Sequence, residues 1–158
     1  MVNMGIKANF SMNDVRKHFD AFLDMVEKKQ IERLQLLGEM CVREARTNKG
    51  YMMQTGALLS STGYEIFVDG VAIHSQFDVA NGADGEAATK GVKAGQDVAE
   101  KIGKETKGVA LVVVAGMNYA AYVEAKGYNV LSSAEHLAEQ ELPRMLEKLI
   151  SSIKRAAE

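Results

Sequence analysis

The 158-residue sequence predicts an α+β domain in which a small, mainly antiparallel sheet packs against a long N-terminal helix and a C-terminal helix. Three observations predict this class: amphipathic periodicity near both ends of the chain, a hairpin signal at Asp69-Gly70, and an apolar run at 109–115. One domain is expected over residues 1–158, with the helices on one face of the sheet, because a chain of this length forms a single core.

The first helix is predicted to begin at Ser11, since Asp14 three residues later completes a start signal of the capping-box type. Gly50 can end it in a left-handed conformation. A bend or break at Gly38, or two helices meeting near Gln30, is the alternative, because glycine inside a helix costs about 1 kcal/mol relative to alanine. The apolar stripe expected to face the core comprises Val15, Phe19, Phe22, Val26, Leu34, Leu37, Cys41 and Ala45.

The strands are predicted from two apolar patterns. Residues 64–75 alternate apolar and polar side chains on either side of Asp69-Gly70, which is a two-residue hairpin turn. Residues 109–115 contain three consecutive valines and are apolar on both faces. This indicates a third strand that is covered on both sides or lies centrally in the sheet.

Residues 78–107 are predicted to form a mobile, glycine- and alanine-rich excursion between strands. The segment has no aromatic residue. It therefore buries too little apolar surface to offset the entropy lost on ordering. A short helix over 94–103 is the alternative.

The last helix is predicted to begin at Ser132, where Glu135 completes a second capping box. Pro143 lies inside its apolar periodicity. Proline removes a helical hydrogen bond, so a kink or a restart of the helix is expected there.

Composition and charge argue against several functional classes. Nineteen basic and 21 acidic residues give a net charge of −2, without the basic patch that a nucleic-acid or membrane partner requires. The single Cys41 rules out an internal disulfide, and His18, His74 and His136 lack metal-ligand spacing. No cofactor is predicted. With no signal-peptide pattern, the chain is expected to work in a reducing cell interior or in a particle assembled there.

Residues 116–128, "GMNYAAYVEAKGY", follow the third strand directly. Tyr119 and Tyr122, three apart, share a face if the segment is helical. Their rings are expected to cover the preceding strand while the hydroxyls remain in water, although tyrosines so placed can also stack on a ligand.

Two short motifs carry a resemblance to a known family. The order of a helix, "TGALLSS" at 55–61, a hairpin, an apolar strand and "NYAAYVEAKG" at 118–127 resembles the tail-completion, or neck, proteins of long-tailed bacteriophages. In that family the motifs are typically Asp-Thr-Gly-x-Leu and Tyr-Ala-x-Tyr-Val-Glu-x-Gly. The positions assigned a structural or interface role on this basis are Thr55, Gly56, Leu58, Tyr119, Tyr122, Val123, Glu124 and Gly127.

The sequence departs from the family pattern at two places. Gln54 stands where the family usually has Asp, which weakens a turn or capping contact. "YNVLSSAEHLAEQEL" at 128–142 replaces a proline-rich stretch, so the final helix is expected to pack differently.

The resemblance implies a structural protein without enzymatic activity. It implies a ring, of six copies by analogy, at the head-proximal end of the tail, where it contacts the tail tube protein and the head connector protein. The location implied is the tail–head junction of the virion, assembled in the bacterial cytoplasm. Residues 119–124 are then a corner that fixes the third strand to the final helix, with Glu124 making a charge-assisted contact there or with a neighbouring subunit. Strand edges and the 78–107 segment are the expected contact surfaces.

Two alternatives remain open. One is a small intracellular enzyme or ligand-binding domain with a pocket near 116–128, using Cys41, His74 or Glu124. A deep pocket containing two of these three residues would favour it. The other is a different phage structural protein, such as a minor capsid or head-completion component.

Overall fold

The computed structural model describes Gly5, Asn9 and residues 11–158. The elements are α1 (Met12–Thr47), α2 (Ala57–Ser60), β1 (Thr62–Val68), β2 (Val71–Gln76), α3 (Gly85–Gly103), β3 (Val109–Ala115), α4 (Ala120–Ala125) and α5 (Ser132–Ala157). The predicted α+β class is confirmed. No helix within this described part of the chain is long and apolar enough to cross a membrane.

The sheet has the strand order β2-β1-β3 with both pairs antiparallel. The predicted hairpin turn is confirmed: Asp69 (φ 48°) and Gly70 (φ 80°) both have positive φ, as a two-residue turn between twisted strands requires. Between the pairs Ile66–His74 and Phe67–Ala72, β2 has one extra residue, Ile73, and this bulge bends β2. β3 is an edge strand, so the central position that the sequence allowed is wrong.

Helices cover both faces of the sheet, not one as expected. On one face, Leu111 and Val113 of β3 pack against a buried cluster from α1 and α5. On the other, Val112 and Val114 pack with Phe67 of β1 and the α3 helix. A strand that is apolar on both faces needs a cover on each side, and here the covers are two different helix layers.

Helix α1 is continuous over 36 residues, so neither a break at Gly38 nor two helices meeting at Gln30 is found. The predicted capping box is confirmed, with Asp14 N donating to Ser11 Oγ at 3.2 Å. Gly38 serves packing: a Cβ there would lie 2.6 Å from the buried ring of Tyr64. The absent side chain lets α1 lie close to the sheet.

The end of α1 differs from the prediction. Asn48 is the C-cap and its N–H donates to Glu44 O, while Gly50 does not have a positive φ. Instead, Gly50 N donates to Asn129 O at 3.0 Å, and a Cβ at Gly50 would lie 2.5 Å from Asn129 N. Gly50 therefore permits close contact between two loop backbones.

Only the second half of the apolar stripe predicted for α1 lies in the core. Leu37, Cys41 and Ala45 are buried, whereas Val15 is 42% and Phe19 61% exposed. The prediction that the whole stripe faces the core is wrong because the first turns of α1 extend past the sheet and α5.

The prediction of a mobile excursion at 78–107 is wrong for its central part, which forms α3 and packs on the sheet. The residues buried on one face of α3 are Ala88, Gly91, Gly95, Ala99 and Gly103. Aromatic rings come from the sheet side instead, since Cβ positions at Gly95 and Gly103 would overlap Phe77 and Phe67. Small residues in the helix allow a close approach rather than signalling disorder.

Helix α5 is one continuous helix with Pro143 inside it, so the predicted restart does not occur. Pro143 and Glu139 are both exposed. The carbonyl of Glu139, which loses its helical donor to proline, can therefore bond to water.

Glu65 is a buried carboxyl group on the α3 face of the sheet, with 2% of its surface exposed. Its Oε1 accepts from Ser75 Oγ at 2.8 Å on the paired strand, and its Oε2 has no partner among the described residues. Burial raises the pKa of Glu65; Ser75 lowers it and the nearby Glu100 raises it further. Folding therefore favours the protonated form of Glu65.

We expect Glu65 to make the protein less stable as pH rises. Because its pKa is higher in the folded than in the unfolded chain, its contribution is fully present below the ordinary glutamate pKa and is lost as pH rises through the raised value. Glu65→Gln should flatten this part of the stability profile, measured by urea unfolding between pH 4 and pH 8. Glu147→Gln, at an exposed position of α5, is the matched control. An unchanged slope in Glu65→Gln would contradict the assignment.

Candidate functional site

Two segments far apart in the sequence meet at one end of the molecule. Leu58 of α2 packs in a buried cluster with Ala120 of α4 and Val130. Ser61 joins them by hydrogen bonds, since its carbonyl accepts from Gly116 N at 3.2 Å and its Oγ from Met117 N at 3.3 Å. The two segments that carry the family resemblance are therefore neighbours in space.

The first segment is held mainly by its backbone. Thr55 Oγ1 accepts from Ala57 N at 3.3 Å, and Thr55 O accepts from Asp84 N at 2.9 Å. Gly56 has φ +82°, and a Cβ there would overlap Ala83. Any other residue at position 56 would meet both backbone strain and a clash.

The second segment is the short helix α4, which begins after Tyr119 and is followed by Gly127. Val123 packs against the same cluster as Leu58, and Gly127 turns the chain with φ +87°. The expectation that the tyrosine rings cover the strand is wrong: Tyr119 is 40% and Tyr122 64% exposed. Alanine and valine on the inner face of α4 provide that cover.

Glu124 fixes the start of α5. Its Oε2 accepts from Val130 N at 2.6 Å and from Leu131 N at 2.8 Å, and its Oε1 accepts from the backbone N–H and the hydroxyl of Ser132. A carboxylate that accepts several N–H groups at a helix N-terminus is a charge-assisted cap. This agrees with the contact expected within the corner. The capping box predicted between Ser132 and Glu135 is not formed, because the Ser132 hydroxyl is bound to Glu124.

Asn129 is a structural residue that was not predicted from the sequence. Its Oδ1 accepts from Ser133 N at 3.0 Å, and its Nδ2 donates to Asn48 O at 2.8 Å. Together with the Gly50–Asn129 backbone bond, this ties the end of α1 to the start of α5. An asparagine just before a helical pattern is the signal that could have found it.

The corner borders a cleft of about 610 Å³, which we call the tyrosine cleft. Four of the five tyrosines in the chain line it, together with two methionines: Tyr51, Tyr119, Tyr122, Tyr128, Met52 and Met53. Burial raises the pKa of Tyr51 to about 12, so this phenol stays neutral at physiological pH. Lys49 and Lys126 place their ammonium groups 5.8 and 5.3 Å from the ring centroids of Tyr51 and Tyr122.

The residues considered for catalysis are not brought together. Cys41 is 1% exposed between α1 and α5, where its Sγ donates to Ala134 O at 3.6 Å and burial raises its pKa. His74 lies on β2 with its Nε2 3.1 Å from Tyr64 Oη. Neither these two nor Glu124 lines the tyrosine cleft. Among residues 11–158, no three His, Cys, Asp or Glu side chains are grouped so as to hold a metal ion.

No protein-family model, curated protein or solved structure matches the chain.

Replacing Glu124 should destabilise the corner far more than replacing Glu135. Glu124→Ala leaves the N–H groups of Val130 and Leu131 without their acceptor, at a cost on the order of 2 kcal/mol or more. Glu135→Ala removes only a first-turn charge, at about 0.3–1 kcal/mol. Urea unfolding of both variants measures the difference. Equal losses would show that Glu124 is not the cap of α5.

Proposed function

We propose that this chain is a structural protein that completes the head-proximal end of a phage tail and joins the tail tube protein to the head connector protein. The observation that carries the proposal is the meeting of the two motif segments, 55–61 and 118–127, at one corner, where Leu58 packs with Ala120 and Ser61 bonds to Gly116 and Met117 directly before the second motif. These are the segments in which the sequence resembles neck proteins. Their contact gives both motifs a single physical role.

The composition of the tyrosine cleft suits contact with a protein. Tyrosine and methionine are enriched in protein–protein interfaces, and tyrosine offers a large contact area at a low entropy cost. Tyr122 is 64% and Met52 89% exposed, so both are available to a partner. Among the described residues, those lining the cleft include no Asp, Glu, His or Cys, and this supports a non-enzymatic role.

The proposal includes a ring of several copies, six by analogy, on the tail of the assembled virion, formed in the host cytoplasm. Both β2 and β3 are edge strands of the described sheet and present backbone groups to a neighbour. The proposal includes no specific nucleic-acid sequence, membrane or cofactor as a partner. A ring follows if a head-to-tail contact closes on itself.

Binding of a small ligand is the second candidate function. The volume of the tyrosine cleft, about 610 Å³, lies in the range of small-molecule sites. Tyrosine rings can stack on an aromatic or apolar ligand. Tails that assemble and join heads normally without the chain would favour this candidate.

Cryo-electron microscopy of phage particles from a host that encodes this chain tests the proposal. We expect a ring of density at the head-proximal end of each tail, and headless tails when the gene is deleted. Density at the capsid would instead indicate a minor capsid or head-completion protein. A single copy, or no density at the tail end, would contradict the proposal.

Complementation of a phage that lacks the gene, with variants of this chain, tests whether the tyrosine cleft contacts a partner. Tyr122→Glu should reduce the fraction of tails joined to heads at least tenfold, because a charge then occupies the exposed contact surface. Ile102→Glu is the control, at a 49% exposed position of α3 outside the cleft. If the same fraction of tails is joined to heads with both variants, the tyrosine cleft is not part of the proposed interface.

A further inference from the structure

Helix α3 is held on the sheet by the close contact of small residues. Its buried residues are alanines and glycines, and the only larger side chain that it adds to the cluster on this face is Val98, which is partly buried. On the other face, α1 and α5 bury larger side chains: Leu37, Cys41, Met145 and Leu149. Because the free energy gained on burial scales with apolar area, α3 gains less from its contact than α1 and α5 gain from theirs.

Polar contacts add little to the attachment of α3. Within residues 11–158, no side chain of Gly85–Gly103 forms a hydrogen bond or an ion pair with another element. The bonds that fix the chain lie outside the helix: Asp84 N donates to Thr55 O before it, and Gly108 N donates to Asp69 Oδ1 at 2.8 Å after it. The helix can therefore move as a unit between these two points.

The carboxyl group of Glu65 lies beneath this helix. It is on the same face of the sheet as Phe67 and Val112, with one oxygen bonded to Ser75 and the other without a partner among the described residues. A carboxylate buried in this way lacks the hydrogen bonds that would offset its loss of water. Movement of α3 away from the sheet would give both oxygens access to water.

The groups around Glu65 do not compensate a negative charge. The charged side chains of α3 are exposed, and Glu100 among them raises the pKa of Glu65, whereas Ser75 of β2 lowers it. β3 places the apolar Val112 opposite Glu65, and His74 lies on the other face of β2. Within the described chain, no basic side chain pairs with Glu65. An ionised Glu65 therefore has no counter-charge beneath α3.

We propose that α3 is a pH-dependent flap, which leaves the sheet as a unit when Glu65 loses its proton, while α1, α5 and the sheet stay folded. Burial under α3 raises the pKa of Glu65, and removal of the helix returns the carboxyl group to water. The closed form is therefore fully favoured below the ordinary glutamate pKa and loses this advantage as pH rises through the raised value. Opening also separates Gly95 from Ser61 of the first motif segment. The flap is a property of the fold and does not rest on the proposed function.

Hydrogen exchange of the whole chain, followed by mass spectrometry, tests the flap. Protection factors over 86–103, corrected for the intrinsic effect of pH on exchange, should fall at least threefold between pH 4 and pH 8. Release of one proton changes the opening equilibrium by up to tenfold per pH unit. Protection over 31–47 of α1 should stay constant. In Glu65→Gln, protection of α3 should be the same at every pH, because the buried group no longer ionises.

Two variants at exposed positions test the role of Glu65 without replacing it. Ser75→Ala removes the partner that lowers the pKa of Glu65, so the loss of protection should move to higher pH. Glu100→Gln removes the carboxylate that raises this pKa, so the loss should move to lower pH. Glu147→Gln, at an exposed position of α5, should behave as wild type does. A purely structural role of these side chains would not move the pH of the transition in opposite directions.

Three outcomes overturn the inference. Protection of α3 that does not fall with pH shows that the helix stays on the sheet when Glu65 ionises. An equal fall over 31–47 shows that the whole fold opens, and not α3 alone. If Ser75→Ala and Glu100→Gln do not shift the transition in opposite directions, another group controls it.

Discussion

The contact of α3 with the backbone at the start of β1 and the end of β3 is the constraint on which the rest of the structure depends. A Cβ at Gly91 would overlap the carbonyl of Ala57, and one at Gly95 would lie 2.5 Å from Ser61 O. Gly116 in turn lies against the backbone of Gly95. Three backbones thus touch where side chains would normally separate them. This close approach fixes Ala57 and Ser61 of the first motif segment, and Gly116 two residues before the second.

The corner and the tyrosine cleft follow from that contact. Once Ser61 is fixed, its carbonyl and hydroxyl position the chain after β3, and Leu58 can close the small apolar cluster under α4. Glu124 then caps α5, and Asn129 ties the same point to the end of α1. Tyrosines left on the outer side of this frame line a cleft instead of entering the core. A rigid frame that presents exposed aromatic side chains is what a protein contact requires.

Features that depend on residues close in sequence were predictable, and features that depend on tertiary contacts were not. The capping box at Ser11 and the Asp69-Gly70 turn depend on residues a few positions apart, so both were found. Helix α3 was missed because glycine and alanine indicate disorder unless a partner surface is known. The start of α5 was predicted to be a capping box of Ser132 and Glu135, since a local pattern cannot reveal that Glu124 binds the N–H and hydroxyl of Ser132. Exposure of Phe19 depends on where α5 ends, which periodicity does not show.

Hydrogen exchange of Gly95→Ala tests the central constraint most directly. The added methyl group has no room between Ser61 O and the Phe77 ring, and overpacking of this kind costs about 1–3 kcal/mol. Exchange should accelerate at least fivefold in both 56–61 and 116–123, while Gly85→Ala, with no atom within 4 Å of its new methyl group, leaves both segments protected. Unchanged protection of these segments in Gly95→Ala, or a change confined to α3, would contradict the account.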